Sequence, residues 1–224
     1  MAILGLFKRG AGVMDEEQSF PSLSMPIDQC RYSVIDTELT GLHYKNDSVV
    51  SIGSVSMTGG RIHLGGTFYE MIRPRTALRS ESIVVHHIMP SEVMDKPPAG
   101  TVISDLLKFC KGTVVVGHFL SLDLHFLNKE LKAVFGSPFP NLVADTWRIH
   151  SWIRHQTESA CRDFGEHGEH DLLTLAKKYS VPVARAHDAL GDAFITAQLF
   201  QRFLTILPGL GVRTIKDLLK IGKP

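Results

Sequence analysis

Two acidic residues, Asp36 and Glu38, lie two positions apart in the segment YSVIDTELTG. The apolar residues 32–35 before them predict a buried strand, and residues i and i+2 of a strand face the same side. Two carboxylates so close raise each other's pKa unless a cation lies between them. A divalent ion that prefers hard oxygen ligands, Mg²⁺ or Mn²⁺, is one explanation for the pair. A solvated strand end is the other.

Three more residues could join this pair. Asp123 follows the apolar run TVVVG and falls in the first turn of the next predicted helix, at the strand edge where α/β sites gather. The positive end of a helix dipole is also sufficient reason for an acid there. His187 and Asp192 are five positions apart in AHDALGDAF, so they would diverge by about 140° on one continuous helix. A loop that holds His187 before a helix that carries Asp192 would let both face one site.

The periodicity predicts the elements that must position these residues. Three strands joined by short turns indicate an antiparallel meander, and the following helices alternate with short buried strands. We therefore predict an α/β fold, with a mixed five-stranded sheet flanked by helices. The predicted strands are 31–36, 48–57, 61–74, 113–117 and 142–146, and the predicted helices are 101–112, 121–136, 170–179 and 187–206. The predicted organisation is an N-terminal arm and linker (1–29), one domain (30–206) and a tail with a short helix (207–224).

Composition excludes several classes of protein. The 224 residues are 44% hydrophobic and 21% charged with a net charge of +1, which is ordinary for a globular protein and gives no global basic field. The three cysteines are scattered, which argues against a disulfide scaffold, and Cys30 and Cys110 are expected in the core. The opening residues MAILGLFKRGAG are apolar and then basic, the reverse of a signal peptide, and no run reaches membrane-spanning length. A cytoplasmic protein without a membrane partner is expected.

A zinc site is the rival metal hypothesis. Cys161, His167 and His170 lie near His150 and His155 in a polar, irregular stretch. Structural zinc sites normally show paired, closely spaced ligands. This spacing matches no strong zinc pattern, and a solvated loop is the favoured interpretation.

The order of the motifs resembles a known family. VIDTELTGL, VVVGHFLSLDLHFLNKEL and HDALGDAFITAQLF are similar to the three exonuclease motifs of the DnaQ-like superfamily, in its DEDDh branch. SIVVHHIMPSEVMDKPP, residues 82–98, resembles the stretch between the first two motifs, and the resemblance covers about residues 30–205. It implies an RNase H-like fold and a hydrolase that removes nucleotides from the 3′ end of single-stranded nucleic acid, with DNA favoured. It also implies two divalent ions, Mg²⁺ or Mn²⁺, held by Asp36, Glu38, Asp123 and Asp192, and His187 as the general base.

The resemblance also implies a substrate-binding set beside the acids, and two of its members depart from the family pattern. Leu39 stands where many members have Thr and could pack on a base or sugar. Phe119 stands where a small residue or Asn is common and could stack on a base or pack in the core. His87 replaces the usual Gly and is expected on the surface, and Asp145 is expected to support the site from behind. The substrate-binding set is Thr37, Leu39, Thr40, Gly41, His118 and Phe119, with His118 open to a purely structural role.

Two alternatives remain at this point. One is an RNA-directed exonuclease of the oligoribonuclease or RNase T kind, which would have to read the 2′-hydroxyl. The other is a binding module that holds nucleic acid without cutting it, although the presence of all five site residues argues against this. The expected partners are single-stranded 3′ ends and a polymerase or other repair protein, and the sequence predicts no particular oligomeric state.

Overall fold

The computed structural model describes residues 20–157, 170–183 and 187–224. Its centre is a sheet of five strands: β1 Arg31–Leu39, β2 Val49–Thr58, β3 Arg61–Met71, β4 Val114–Gly117 and β5 Val143–Asp145. Their order in the sheet is β3-β2-β1-β4-β5. The first three strands are antiparallel neighbours, whereas β4 and β5 run parallel to β1. This confirms the predicted mixed sheet with an antiparallel meander.

The first strand is longer than predicted. It continues past Asp36 to Leu39, and its pairing with β2 changes register between Glu38 and Leu39. Both acids therefore belong to a paired strand, because the hydrogen bonding to β2 outlasts the apolar run that marked the strand in the sequence. The short strand β4 is buried throughout, as expected of a parallel strand covered on both faces.

Eight helices surround the sheet in the described part of the chain. They are α1 Ser80–His86, α2 Pro90–Val93, α3 Ala99–Phe109, α4 Ser121–Phe135, α5 Thr146–Thr157, α6 Leu172–Lys178, α7 Ala189–Ile206 and α8 Ile215–Gly222, with a 3₁₀ turn at Leu207–Leu210. The helices predicted before residue 207 all appear, with ends shifted by a few residues. The structure adds α1, α2 and α5, which the sequence analysis did not predict. The helices α1 and α2 are short and follow no long apolar pattern.

Two hydrophobic cores lie on opposite faces of the sheet. Tyr32 and Val34 of β1 point into the core that includes α7, whereas Ile35 and Leu39 point into the core that includes α3 and α4. Because side chains alternate along a strand, Asp36 and Glu38 share the α7 face. Thr37 faces α4. This alternation decides from which side each further site residue can approach β1.

The described parts of both predicted flanking segments pack on the domain. Ile27 is buried and donates its backbone N–H to the Arg213 carbonyl at 3.0 Å, and the Tyr32 hydroxyl donates to the Ile27 carbonyl at 2.8 Å. Ile215 and Leu218 of α8 are fully buried in the α7-side core. The structured ends therefore contribute to the same core as the sheet, while residues 1–19 lie outside the described part.

The cysteine and membrane expectations can be checked in part. Cys30 and Cys110 are buried free thiols, as predicted, and burial raises the pKa of both to about 11 and about 12. Cys161 lies outside the described residues. Among the described helices, none combines the length and the apolarity needed to cross a lipid bilayer.

Candidate active site

Three carboxylates meet on the α7 face of β1. Ligand oxygens of Asp36, Glu38 and Asp192 all lie within 4.8 Å of one another. Asp36 and Glu38 come from the end of β1, and Asp192 comes from the first turn of α7. The structure therefore brings together three of the four predicted metal ligands, from segments more than 150 residues apart in the chain.

A glycine lets α7 come close enough for this contact. Gly53 of β2 pairs with Asp36, and a Cβ at Gly53 would collide with the carbonyl group of Ala189. Any larger residue would push the first turn of α7 away from the sheet. Because Asp192 belongs to that turn, the missing side chain at Gly53 sets the distance between the two halves of the carboxylate cluster.

The segment before α7 has the predicted loop-then-helix form. Asp188 caps the helix by accepting from the Leu190 N–H at 3.3 Å. His187 lies just before the cap with a φ of 65° and an exposed side chain. Its backbone N–H donates to Asp192 Oδ2 at 3.1 Å. His187 and Asp192 are thus adjacent, because the chain turns between them.

Asp123 approaches from the other side of β1. It is buried in the first turn of α4, and its Oδ1 accepts a 2.6 Å hydrogen bond from the Thr37 hydroxyl. Burial raises the pKa of Asp123 to about 7 against the opposing effect of the Thr37 bond. After burial, the charge of Asp123 is the largest contribution to the raised pKa of Asp36. Asp123 therefore lies within electrostatic reach of the cluster while Thr37 fixes its carboxylate.

The carboxylates are held in a state that favours a cation. Burial, together with the charges of Asp192 and Asp123, raises the pKa of Glu38 to about 7. Burial also raises the pKa of Asp36 and of Asp192, with neighbouring carboxylates adding to the effect on Asp36. Among the described residues, no ion pair involves the cluster, and the buried Asp192 Oδ1 has no hydrogen-bond partner. A set of hard oxygen donors with unbalanced charge fits Mg²⁺ or Mn²⁺.

The loop after Glu38 is built on a buried aspartate that sequence analysis did not single out. Asp47 accepts hydrogen bonds from the Thr40 hydroxyl at 2.9 Å and from the His43 N–H at 2.8 Å. A Cβ at Gly41 would lie 2.6 Å from the same carboxylate. Leu39 is only 8% exposed and packs in the α4-side core, so its side chain offers little surface to a nucleotide. These predicted substrate-binding residues therefore stabilise the loop from inside the protein.

The predicted substrate-binding residues His118 and Phe119, which follow β4, differ in their burial. His118 is buried; its Nε2 lies 2.9 Å from the His170 carbonyl oxygen and its Nδ1 lies 2.9 Å from the Thr146 hydroxyl. Burial lowers the pKa of His118 to about 4. Both ring nitrogens are thus engaged within the protein, which agrees with the structural interpretation. Phe119 is 40% exposed, so the alternative of core packing is wrong.

Asp145 supports the backbone and lies outside the group of metal-competent carboxylates. It is buried, and its Oδ1 accepts from the Phe119 N–H at 3.2 Å and from the Trp147 N–H at 2.8 Å. One carboxylate therefore joins the turn after β4 to the start of α5. The other departure from the family pattern, His87, is exposed at the end of α1 with a φ of 59°, as the surface interpretation predicted.

Two ligands of the rival zinc site, Cys161 and His167, lie outside the described residues. His150 Nδ1 lies 3.0 Å from the Tyr179 hydroxyl, and the His170 ring lies 4.1 Å from the ring of Trp147. Within the described ranges, the group of side chains able to hold a metal is the Asp36, Glu38 and Asp192 cluster.

Proteins of known family resemble this chain in sequence. A family model described as an exonuclease, of the RNase T type, matches residues 33–200. The DNA polymerase III subunit epsilon of Treponema pallidum is 31% identical over 169 residues, which is 75% of this chain and 74% of that protein. A DNA polymerase III subunit epsilon-like protein of Rhodobacter capsulatus is 32% identical over 192 residues, 84% of this chain. The chain spans only 26% of that second relative's length.

The fold also matches solved nuclease structures. Exonuclease X in complex with 5′ overhanging duplex DNA aligns with a TM-score of 0.62 at 23% identity, over 85% of this chain and 98% of that one. At this level of identity the likeness concerns the fold, and it confirms the RNase H-like architecture. The family match covers most of the chain, including all three exonuclease motifs and every carboxylate of the cluster. The chain belongs to the RNase T family of exonucleases, which are nuclease enzymes.

Proposed function

We propose that this protein is a 3′–5′ exonuclease that hydrolyses phosphodiester bonds at the 3′ end of single-stranded nucleic acid and releases nucleoside 5′-monophosphates. The observation that carries the proposal is the convergence of Asp36, Glu38 and Asp192 within 4.8 Å, with His187 beside Asp192. Such a cluster suits a reaction at a phosphate, where negative charge on substrate and enzyme must be balanced together.

The carboxylates would hold two divalent ions, Mg²⁺ or Mn²⁺. When bound, such ions activate the attacking water and neutralise charge on the leaving oxygen. Asp36, at the centre of the electrostatic contacts among the acids, would hold these ions together with Glu38 and Asp192. Asp123, already fixed by Thr37, would complete the set from the α4 side.

His187 is the proposed general base. Its side chain is exposed immediately before α7, and its own N–H holds the Asp192 carboxylate. An imidazole nitrogen at this place can take a proton from a water near Asp192, as histidine commonly does in general acid–base catalysis. The bond from its backbone ties the position of the base to that of a metal ligand.

DNA is the proposed substrate, with the 3′ end presented as a single strand. The names of the relatives support DNA as the polymer: two refer to the epsilon subunit of DNA polymerase III, and the matching Exonuclease X structure holds duplex DNA with a 5′ overhang. The single-stranded 3′ end is the form that the resemblance of the motifs implies. By the same likeness, a polymerase or a repair protein is the proposed protein partner. The RNase T type of the matched family keeps an RNA substrate as the second candidate.

The experiment is a gel assay on matched single-stranded DNA and RNA oligonucleotides labelled at the 5′ end. Wild-type protein, Asp36→Ala and Asp95→Ala are compared with Mg²⁺, with Mn²⁺ and with EDTA; Asp95 is exposed and far from the cluster in the sequence. We expect a metal-dependent ladder that shortens from the 3′ end, lost in Asp36→Ala and kept in Asp95→Ala. Faster loss of RNA would favour the second candidate. Binding without any ladder would instead support a module that does not cut.

A further inference from the structure

A row of aromatic rings lies where β4 and β5 end. Phe119, which follows β4, has its ring centre 5.7 Å from that of Trp147 at the start of α5, and 4.7 Å from that of His118. Trp147 in turn lies 4.1 Å from the His170 ring. Phe119 is 40% exposed and Trp147 is partly exposed, whereas His118 is buried. Phe119 and Trp147, the central pair of this row, form a surface that we call the aromatic surface.

The backbone holds Phe119 in this exposed position at an energetic cost. Its φ is 51°, in the left-handed region that a bulky residue rarely adopts. Strain of this kind persists where the surroundings fix the residue. Here the Asp145 carboxylate accepts the N–H groups of both Phe119 and Trp147. The same buried acid therefore positions both members of the aromatic surface.

The aromatic surface lies beside the carboxylate cluster. The Phe119 carbonyl accepts from the Leu122 N–H at 3.0 Å, and the next residue is Asp123. Asp123 is bonded to Thr37, which stands between Asp36 and Glu38 in β1. Because β1, β4 and β5 are parallel neighbours, their carboxyl ends share one edge of the sheet. A nucleic-acid strand whose 3′ end lies at the acids would therefore have the aromatic surface within reach along that edge of the sheet.

We propose that Phe119 and Trp147 form a stacking site for an unpaired base of the bound strand. The inference rests on the proposed function and adds to it, because it assigns Trp147 a role and makes Asp145 a positioning residue. Aromatic rings stack on any of the bases, so such a site holds single strands without reading their sequence. It also compensates for the near-neutral charge of the chain, which gives little long-range attraction for phosphates.

The test measures KM for single-stranded oligonucleotides that carry one abasic residue at successive positions from the 3′ end. In wild type, KM should rise about tenfold or more at the position whose base is stacked. In Phe119→Ala, KM for the intact strand should rise by a similar factor, and the dependence on that position should disappear. Phe119→Tyr, which keeps the ring, should restore the wild-type pattern. Trp147→Ala should behave like Phe119→Ala.

Phe135→Ala is the matched control. Phe135 is also a 40% exposed phenylalanine, but it ends α4, about 20 Å along the helix from its start. The KM values of the Phe135→Ala protein should equal those of wild type at every abasic position. If Phe119→Ala and Trp147→Ala also match wild type at every position, stacking is refuted while the exonuclease function stands. If wild type cleaves nothing, the proposed function fails. The stacking site is then tested by measuring dissociation constants of the same strands by fluorescence anisotropy, with the same variants and the same abasic positions compared.

Discussion

Replacing Glu38 by glutamine should make the metal-free protein more stable at neutral pH. The wild-type carboxyl has a pKa of about 7 in the folded protein, against an ordinary value of 4.5. A folded-state pKa above the unfolded value means that the protonated form stabilises the fold. That stability is fully present below pH 4.5 and is lost as the pH rises through about 7. Glutamine keeps the size of the side chain and does not titrate.

The expected gain in the free energy of unfolding follows from the two pKa values of Glu38. At 1.36 kcal/mol per pH unit, the difference between 4.5 and about 7 corresponds to roughly 3 kcal/mol at pH 8. For a chain of this length, roughly 2–4 °C per kcal/mol gives an increase in Tm of about 6–12 °C. Removing the Glu38 charge also removes a repulsion that raises the pKa of Asp36, so this second effect stabilises the variant as well.

The assay is thermal unfolding in EDTA across pH 4.5 to 8. Glu38→Gln should match wild type at the acid end and gain steadily as the pH rises. Saturating Mg²⁺ or Mn²⁺ should remove most of that gain, because an ion that binds only the folded protein at 100 times its Kd stabilises it by about 2.7 kcal/mol. Glu70→Gln is the control, since Glu70 is exposed on β3. A Glu38→Gln protein with no gain at pH 8, or with a gain that does not depend on pH, would refute the view of Glu38 as a carboxylate destabilised by burial and by its acidic neighbours.

Three further outcomes follow from single contacts. Gly53→Ala places a methyl group against the Ala189 carbonyl; it should cost roughly 1–3 kcal/mol in urea unfolding and weaken Mn²⁺ binding in a calorimetric titration, since α7 must shift. Thr37→Val leaves the buried Asp123 carboxylate without its 2.6 Å bond; it should cost about 1–3 kcal/mol at pH 8 and less at pH 5, measured by the same unfolding assay. His118 has a pKa lowered to about 4, so stability should fall as the pH drops from about 6.5 towards 4, and His118→Gln should flatten that part of the pH profile.

Local rules were sufficient for much of the site. The period of two along a strand places Asp36 and Glu38 on one face, and the structure puts both there, three residues before and one residue before the end of β1. The need for a turn between His187 and Asp192 follows from helix geometry alone, and the helix begins between them. The meander of β1, β2 and β3 follows from apolar runs separated by short turns.

Other features depend on contacts between distant segments. Thr37 carries no local sign that it will fix Asp123, because that bond joins residues 86 positions apart. Gly53 appears in the sequence as one glycine among others, and only the approach of α7 gives its missing side chain a role. Likewise, Asp145 becomes an anchor through the Phe119 N–H, which lies 26 positions away and which the fold brings to it.

The amino-acid sequence by itself determined which residue types are available for chemistry and which of them share a face of a strand or a turn of a helix. Those relations are set by backbone geometry over a few residues. The tertiary structure decided which carboxylates meet, from which side Asp123 approaches, and that Phe119 faces solvent while Leu39 is buried. These depend on strand order and on the packing of two helices against opposite faces of one sheet, which no local pattern encodes.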